Sequence, residues 1–252
     1  MRRILPEPAA DAEVLEQLAE LRPWEEAPED RPHLLTNFAL TLDGRATLGG
    51  SSGDIGTGAD TAMLVGLRTR VDAVMIGAGT MRVERYGCII KDPAKRERRL
   101  AEGLAENPLV VIVSGRLELP WDAPLFTDDI GEVLIFTTSD EDPPETATPV
   151  ELVRDEGMVD LVAAMRHLRT ERGVRALLCE GGPHLHALLH QAGLVDEMFV
   201  TVAPKLAGGQ GPGLVEGLAE AERPLELEWL LHEPETGELF SRYRVRRDDA
   251  QR

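Results

Sequence analysis

Short apolar runs alternate with helical patterns along most of this chain, and that alternation limits the fold more than any other feature. Residues 71–76, 109–113, 132–137, 174–179 and 198–203 are apolar enough for buried strands and too short for independent helices. One helical pattern carries Leu64, Leu67 and Val71 on a single face. A second carries Val159, Val162, Met165 and Leu168, and a third Leu185, Leu188, Leu189 and Ala192. Gly173 and Gly193 stop the last two. Buried strands joined through helices make a parallel sheet covered on both sides. Residues 34–41 read as another strand, turned by Leu42-Asp43-Gly44-Arg45, and 150–153 as a short one. The tail, 225–245, alternates on either side of a Glu-Thr-Gly turn, which predicts a β-hairpin. The expected class is α/β, with a mixed, mostly parallel central sheet and an antiparallel C-terminal hairpin.

No linker separates two cores, so residues 32–252 are expected to form one domain. Residues 1–31 are acidic and bear prolines. Within them Val14, Leu15, Leu18 and Leu21 have the spacing of a short amphipathic helix, so the segment reads as an N-terminal extension lying on the body. Thr57 and Asp60 make a capping-box pattern ahead of the first long helix, and residues 91–106 are charged and helix-prone. A net charge of −18 argues against nucleic acid and anionic membranes as partners. No apolar stretch is long enough for a membrane span, and Cys88 and Cys179 have neither metal-ligand nor disulfide-framework spacing. A reducing, cytoplasmic setting is expected.

Chemistry is expected at the strand ends, because ligands of open α/β sheets sit beyond the carboxyl ends of the strands. Those ends read Gly-Ala-Gly-Thr at 77–80, Ser-Gly-Arg at 114–116, Glu-Gly-Gly-Pro at 180–183 and Ala-Gly-Gly at 207–209. Glycine lets the backbone approach a phosphate, and a helix start offers free N–H groups and the positive end of a dipole. Pro183 suits the first helical position, so Gly182 to His186 can cradle a pyrophosphate with main-chain donors. Neither a G-x-G-x-x-G nor a P-loop pattern is present. Arg45, Arg68, Arg82, Arg85 and Arg116 are candidates for a local positive pocket in the acidic chain, and Arg116 is the candidate for a cofactor 2′-phosphate. His184, His186 and His190 lack further ligands for zinc and read as surface histidines of an amphipathic helix; no metal is expected.

The stretches NFALTLDGRAT, LRTRVDAVMIGAGTMRVERYG and CEGGPHLHALLHQAGLVDEMFVTVAPKLAGG together resemble the reductase half of the bifunctional riboflavin-biosynthesis deaminase–reductase, RibD. The order of L-D-G-R, G-x-G-T, E-G-G-P and G-L-V-D-E is specific to that family, whereas no single piece is. The resemblance implies a three-layer α/β/α, dihydrofolate-reductase-like fold, a homodimer and NADPH as cofactor. The implied activity is reduction of the ribose of 5-amino-6-(5-phosphoribosylamino)uracil to ribityl by hydride transfer. It places Thr80, Glu84, Ser114 and residues 182–188 at the cofactor, Gly182, Pro183, His184, Leu185 and His186 among them. It places Ser52, Arg68 and Glu180 at the substrate, with Arg68 suited to the phosphate and Glu180 the candidate catalytic group.

Two departures accompany the resemblance. After Gly-Ala-Gly-Thr the family commonly continues with an acid pair and a proline, whereas this chain has Arg82-Val83-Glu84-Arg85-Tyr86-Gly87, so Glu84 keeps the acid position and the proline is replaced. No H-x-E with P-C-x-x-C occurs, so a stand-alone reductase without the zinc deaminase is expected. The altered run leaves open a paralogue acting on dihydrofolate, a pterin or a secondary metabolite. A different class, an NADPH-binding protein without turnover, also stays open.

Overall fold

The computed structural model describes residues 1–246. In chain order the elements are β1 (Arg2–Leu5), α1 (Val14–Ala19), β2 (His33–Thr41), α2 (Gly58–Arg68), β3 (Ala73–Gly77), α3 (Ala78–Glu84), α4 (Pro93–Ala101), β4 (Leu109–Val113), α5 (Pro124–Thr127), β5 (Val133–Thr137), β6 (Val150–Arg154), α6 (Leu161–Thr170), β7 (Ala176–Cys179), α7 (Pro183–Gln191), β8 (Glu197–Ala203), β9 (Leu225–His232) and β10 (Leu239–Val245). The strands form one sheet in the order β1-β9-β10-β8-β2-β7-β3-β4-β5-β6. From β8 to β6 every pairing is parallel; β10, β9 and β1 extend the sheet by antiparallel pairings.

The strand period of two sorts the apolar side chains onto two faces. Leu35, Val74, Ile76, Val110 and Ile112 face one layer, where Met63 and Leu67 of α2 cover them. Leu34, Ala73, Met75, Val111 and Leu134 face the other, under Met165 and Leu168 of α6 and Leu185 and Leu189 of α7. The result is the three-layer arrangement, with burial on both faces accounting for the near-continuous apolar strands.

Residues 1–31 contribute to this body directly. β1 pairs along β9, and Val14 and Leu18 of α1 are buried in the α2-side core. A Cβ on Gly66 would stand 2.7 Å from a methyl of Leu18, so the two helices approach this closely because Gly66 has no side chain.

Several local expectations are corrected. Residues 77–80 do not stay a loop: Gly77 is the N-cap of α3 and the chain turns straight into helix. Strand β3 starts at Ala73, two residues later than the apolar run suggests, and just ahead of it the Asp72 carboxylate accepts the backbone N–H groups of Arg175 and Ala176. The Thr57–Asp60 capping box does not form. Thr57 caps Ala59, while its own N–H and hydroxyl go to the buried carboxylate of Glu238 from the distant hairpin. The Asp43 carboxylate ties the Leu42–Arg45 turn to the 207–209 segment. It accepts from Thr41 Oγ1 and from the N–H groups of Ala207 and Gly208, and these bonds, Thr41's first, hold it well below the usual carboxylate range.

His186 and His190 are not surface histidines; of the three, only His184 is exposed. His186 is fully buried, stacked on Phe38 with ring centroids 4.5 Å apart, and its Nε2 lies 3.0 Å from Nε2 of His190. Burial, then the neighbouring His190, brings His186 down to about 3 against the pull of the Leu214 carbonyl. Burial and the Arg223 charge bring His190 down to about 4. As the pH falls below the ordinary histidine value of 6.5, the unfolded chain takes up these protons before the folded one. The pair's contribution to stability is therefore complete above 6.5 and lost progressively as pH drops through 4 toward 3. Urea unfolding should show a steeper fall in midpoint between about pH 7 and pH 4.5 for the wild type than for His190→Gln.

Candidate active site

A cavity of about 1670 Å³ opens at the carboxyl ends of β3, β4 and β7 and along the adjoining stretch of β2. Gly77, Ser114 and Glu180, at or just past the ends of β3, β4 and β7, all reach it, as the position of ligands in open α/β sheets requires. Of the glycine-bearing strand ends, those at 77–79, 114–116 and 182–183 line the cavity. The Ala207–Gly209 end does not: with Arg45, which donates to the carbonyls of Gly209 and Gly211, it is spent on the turn described above.

Arg68, at the last position of α2, donates from Nε to Glu180 Oε1 at 2.7 Å and from Nη2 to Oε2 at 2.6 Å. The pair is bidentate and nearly sealed, with side-chain exposures of 14% and 3%. The Tyr86 hydroxyl donates to Glu180 Oε2 at 3.0 Å, and Arg68 lies over the Tyr86 ring, 5.7 Å from its centroid. Burial works against the Arg68 charge, but Glu180 outweighs it and the guanidinium is held above its ordinary value. Burial and the Glu180 charge together push the Tyr86 phenol well above its ordinary value, so it stays protonated and donates. Arg68 keeps further N–H donors for a ligand beyond those bound to Glu180 and, more loosely, to the Ile89 carbonyl.

The other anticipated residues divide by surroundings. Ser52 and Glu84 meet across the cavity mouth: Glu84 Oε1 accepts from Ser52 N at 3.2 Å and from Ser52 Oγ at 2.9 Å. Thr80 packs against the Gly181–Gly182 turn, where a Cβ on Gly182 would stand 2.9 Å from Thr80 Oγ1. Ser114 is buried at the end of β4, and Arg116 is exposed on the rim beside Glu118, 3.4 Å away. Gly182, Pro183, His184 and Leu185 line the cavity, and Gly182 supplies no side-chain cap to α7. His186 is the correction: it does not line the cavity, its ring is buried behind the lining residue Phe38, and its backbone N–H donates to the Gly182 carbonyl, because the helical turn from 182 to 186 carries it to the inner face. Arg82 and Arg85 line the cavity but are committed elsewhere, Arg82 to the Glu118 carbonyl and Arg85 to Asp122.

Asn37, Asp60, Tyr86 and Lys91 are among the lining residues that the sequence reading did not name as site candidates. Asp60, Leu64 and Arg68 stand one turn apart on the cavity face of α2, so helical spacing from Arg68 would have found Asp60. Burial raises Asp60 above the usual carboxylate range, with Thr201 opposing and Glu238 adding to the shift. Tyr86 had no local signal, since a left-handed Arg85 (φ 44°) at the end of α3 turns the chain so that the phenol reaches Glu180.

With this geometry in hand, comparisons with known proteins agree on one relationship. A family model described as the RibD C-terminal domain matches residues 32–235. Two archaeal proteins named 2,5-diamino-6-ribosylamino-4(3H)-pyrimidinone 5′-phosphate reductase are similar to the chain. The one from Methanothermobacter thermautotrophicus is 29% identical over 79% of this chain and 91% of its own, and the one from Archaeoglobus fulgidus 30% over 74% and 87%. A solved pyrimidine reductase-like protein from Corynebacterium diphtheriae superposes with a TM-score of 0.79 at 25% identity, covering 94% of this chain and all of its own. The fold is also that of a deaminase/reductase from Thermotoga maritima, with a TM-score of 0.70 at 21% identity over 86% of this chain and 57% of that one.

Proposed function

The chain belongs to the RibD C-terminal domain family, and on that premise we propose that it transfers a hydride from NADPH to the ribosyl carbon of a ribosylaminopyrimidine 5′-phosphate, giving the ribityl product. That it is a reductase of the riboflavin-biosynthesis type follows from its relatives. The observation that carries the fuller reading is the meeting, in one cavity, of the uncapped start of α7 with the Arg68–Glu180 pair. The first suits a cofactor pyrophosphate and the second a phosphorylated substrate.

The residues present fit the cofactor. Gly77 N–H donates to the Gly181 carbonyl at 2.7 Å, and a Cβ on Gly77 would stand 3.3 Å from Gly182 N, so the two strand-end turns touch through bare backbone. A Cβ on Gly79 would meet nothing nearer than an Arg82 nitrogen at 4.0 Å, which leaves a backbone cradle open to the cavity. The first turn of α7 would hold the pyrophosphate, Thr80 and Ser114 would flank the cofactor, and Arg116 on the rim would meet a 2′-phosphate. Bound there, NADPH supplies the hydride. Arg68 and Lys91, which both line the cavity, draw the substrate phosphate; Glu180 orients the sugar and moves the proton that accompanies the hydride. The same proposal includes a cytoplasmic homodimer. Among the described residues no helix is long and apolar enough to cross a membrane.

The test is NADPH oxidation followed by absorbance, with 5-amino-6-(5-phosphoribosylamino)uracil, with the 2,5-diamino pyrimidinone for which the archaeal relatives are named, and with dihydrofolate. Turnover of either phosphoribosyl substrate supports the proposal. Turnover of dihydrofolate alone, or cofactor binding with no turnover, defeats it. With NADH in parallel, Arg116→Ala should raise the KM for NADPH about tenfold and leave that for NADH unchanged.

A further inference from the structure

Tyr86 takes no part in the scheme above, yet its hydroxyl touches the group placed at its centre. The carboxylate of Glu180 has three side-chain bonds among the described residues: Oε1 accepts from Arg68 Nε, and Oε2 accepts from Arg68 Nη2 and from Tyr86. As long as Arg68 forks onto both oxygens, the charge of Glu180 is balanced by the guanidinium and only one acceptor site, on Oε1, is left for a substrate. A phosphate dianion arriving at Arg68 changes that balance. It binds the N–H groups that Arg68 keeps free, draws the guanidinium toward itself and repels the carboxylate, so the fork loosens while Glu180, whose side chain is 3% exposed, still needs a donor. The remaining side-chain donor is Tyr86.

We propose that Tyr86 is a positioning residue for Glu180, holding Oε2 when Arg68 turns to the substrate phosphate and so leaving Oε1 free to face the sugar. The inference rests on the reading of Arg68 as the phosphate partner.

Tyr86 is built for that task by contacts that do not depend on any ligand. Arg85 turns the backbone by its left-handed conformation and is pinned to Asp122 at 2.8 Å. The Tyr86 carbonyl accepts from Leu125 N–H at 2.9 Å. Gly87 packs so closely on α5 that a Cβ there would stand 3.1 Å from Pro124. The phenol is thus anchored from α3 and α5, whereas Arg68 belongs to α2, and one donor can move while the other stays. Burial keeps the phenol protonated, as a pure donor to a carboxylate must be.

Two measurements on the full-length protein test this. The chain has two tyrosines, so 3-fluorotyrosine labelling gives two fluorine resonances, and Tyr86→Phe assigns them. Titration with inorganic phosphate should shift the Tyr86 resonance and leave that of Tyr243 in place, and Arg68→Met should abolish the shift. An unmoved Tyr86 resonance at saturating phosphate overturns the proposal, and this readout needs no turnover. In kinetics, Tyr86→Phe should lower kcat by about tenfold or more with the KM for NADPH unchanged. The substrate lacking its 5′-phosphate should be activated by phosphite dianion in the wild type and much less in Tyr86→Phe. Tyr86→His, which restores a donor, should recover part of the lost kcat. Equal phosphite activation in wild type and Tyr86→Phe, or equal losses in the Phe and His variants, marks Tyr86 as packing only. A wild type inert toward every phosphoribosyl pyrimidine defeats the functional reading instead, with the fluorine titration still deciding the role of Tyr86.

Discussion

Glu180→Gln should lower kcat by roughly a hundredfold to ten-thousandfold while leaving NADPH binding nearly intact. Glutamine keeps the size of the side chain but cannot carry the proton that must accompany a hydride. It also offers Arg68 one acceptor where the carboxylate offers two, at the bidentate geometry of 2.7 and 2.6 Å. The uncapped start of α7 is built from backbone on the far side of Gly181 and does not use the Glu180 side chain, so cofactor affinity is the internal control. Arg68 would be left partly unpaired, and some loss of stability is expected with it. A thermal melt alongside steady-state kinetics separates the two effects. Retention of wild-type kcat in a folded Glu180→Gln protein would remove Glu180 from the chemistry.

Arg99→Met should destabilise the fold by about 3 kcal/mol, or about 10 °C in melting temperature. Arg99 is completely buried, yet no carboxylate of the described residues forms an ion pair with it. Its guanidinium donates to the carbonyls of Arg68 at 2.7 Å, Val71 at 2.9 Å and Ala105 at 2.8 Å. Burial lowers its pKa to about 10, partly offset by the charges of Asp72 and Glu102. Methionine fills much of the volume and relieves the buried charge, which limits the cost. It leaves carbonyls at the end of α2 without a donor, and that loss dominates. Because Arg68 is the last residue of α2, the same substitution should loosen the base of the side chain proposed to bind the substrate phosphate. A raised KM for the phosphorylated substrate, with the KM for NADPH unchanged, is the kinetic sign. A melting temperature within about 2 °C of wild type would show that water or a local shift satisfies these carbonyls.

Features that depend on neighbours a few residues apart were legible before folding. Short apolar runs placed the parallel strands, and helical spacing found Leu67 of α2, Met165 and Leu168 of α6, and Leu185 and Leu189 of α7 as buried positions but misplaced Val162 and Leu188, which are exposed; Gly182-Pro183 marked a helix start. The order of the motifs carried the family, and with it Arg68, Glu180, Thr80 and Ser114 on one cavity. Encounters between residues far apart in the chain emerge only in the folded arrangement. Arg68 and Glu180 are 112 positions apart, Tyr86 and Glu180 94, and Thr57 and Glu238 181. Whether a charged group meets a ligand, another charge or a run of carbonyls depends on which side chains the sheet order brings together, and on turns such as the left-handed one at Arg85. The same reason moved His186 off the cavity. Its place on the helical wheel was legible, but the face that α7 turns toward Phe38 was set by packing on the sheet.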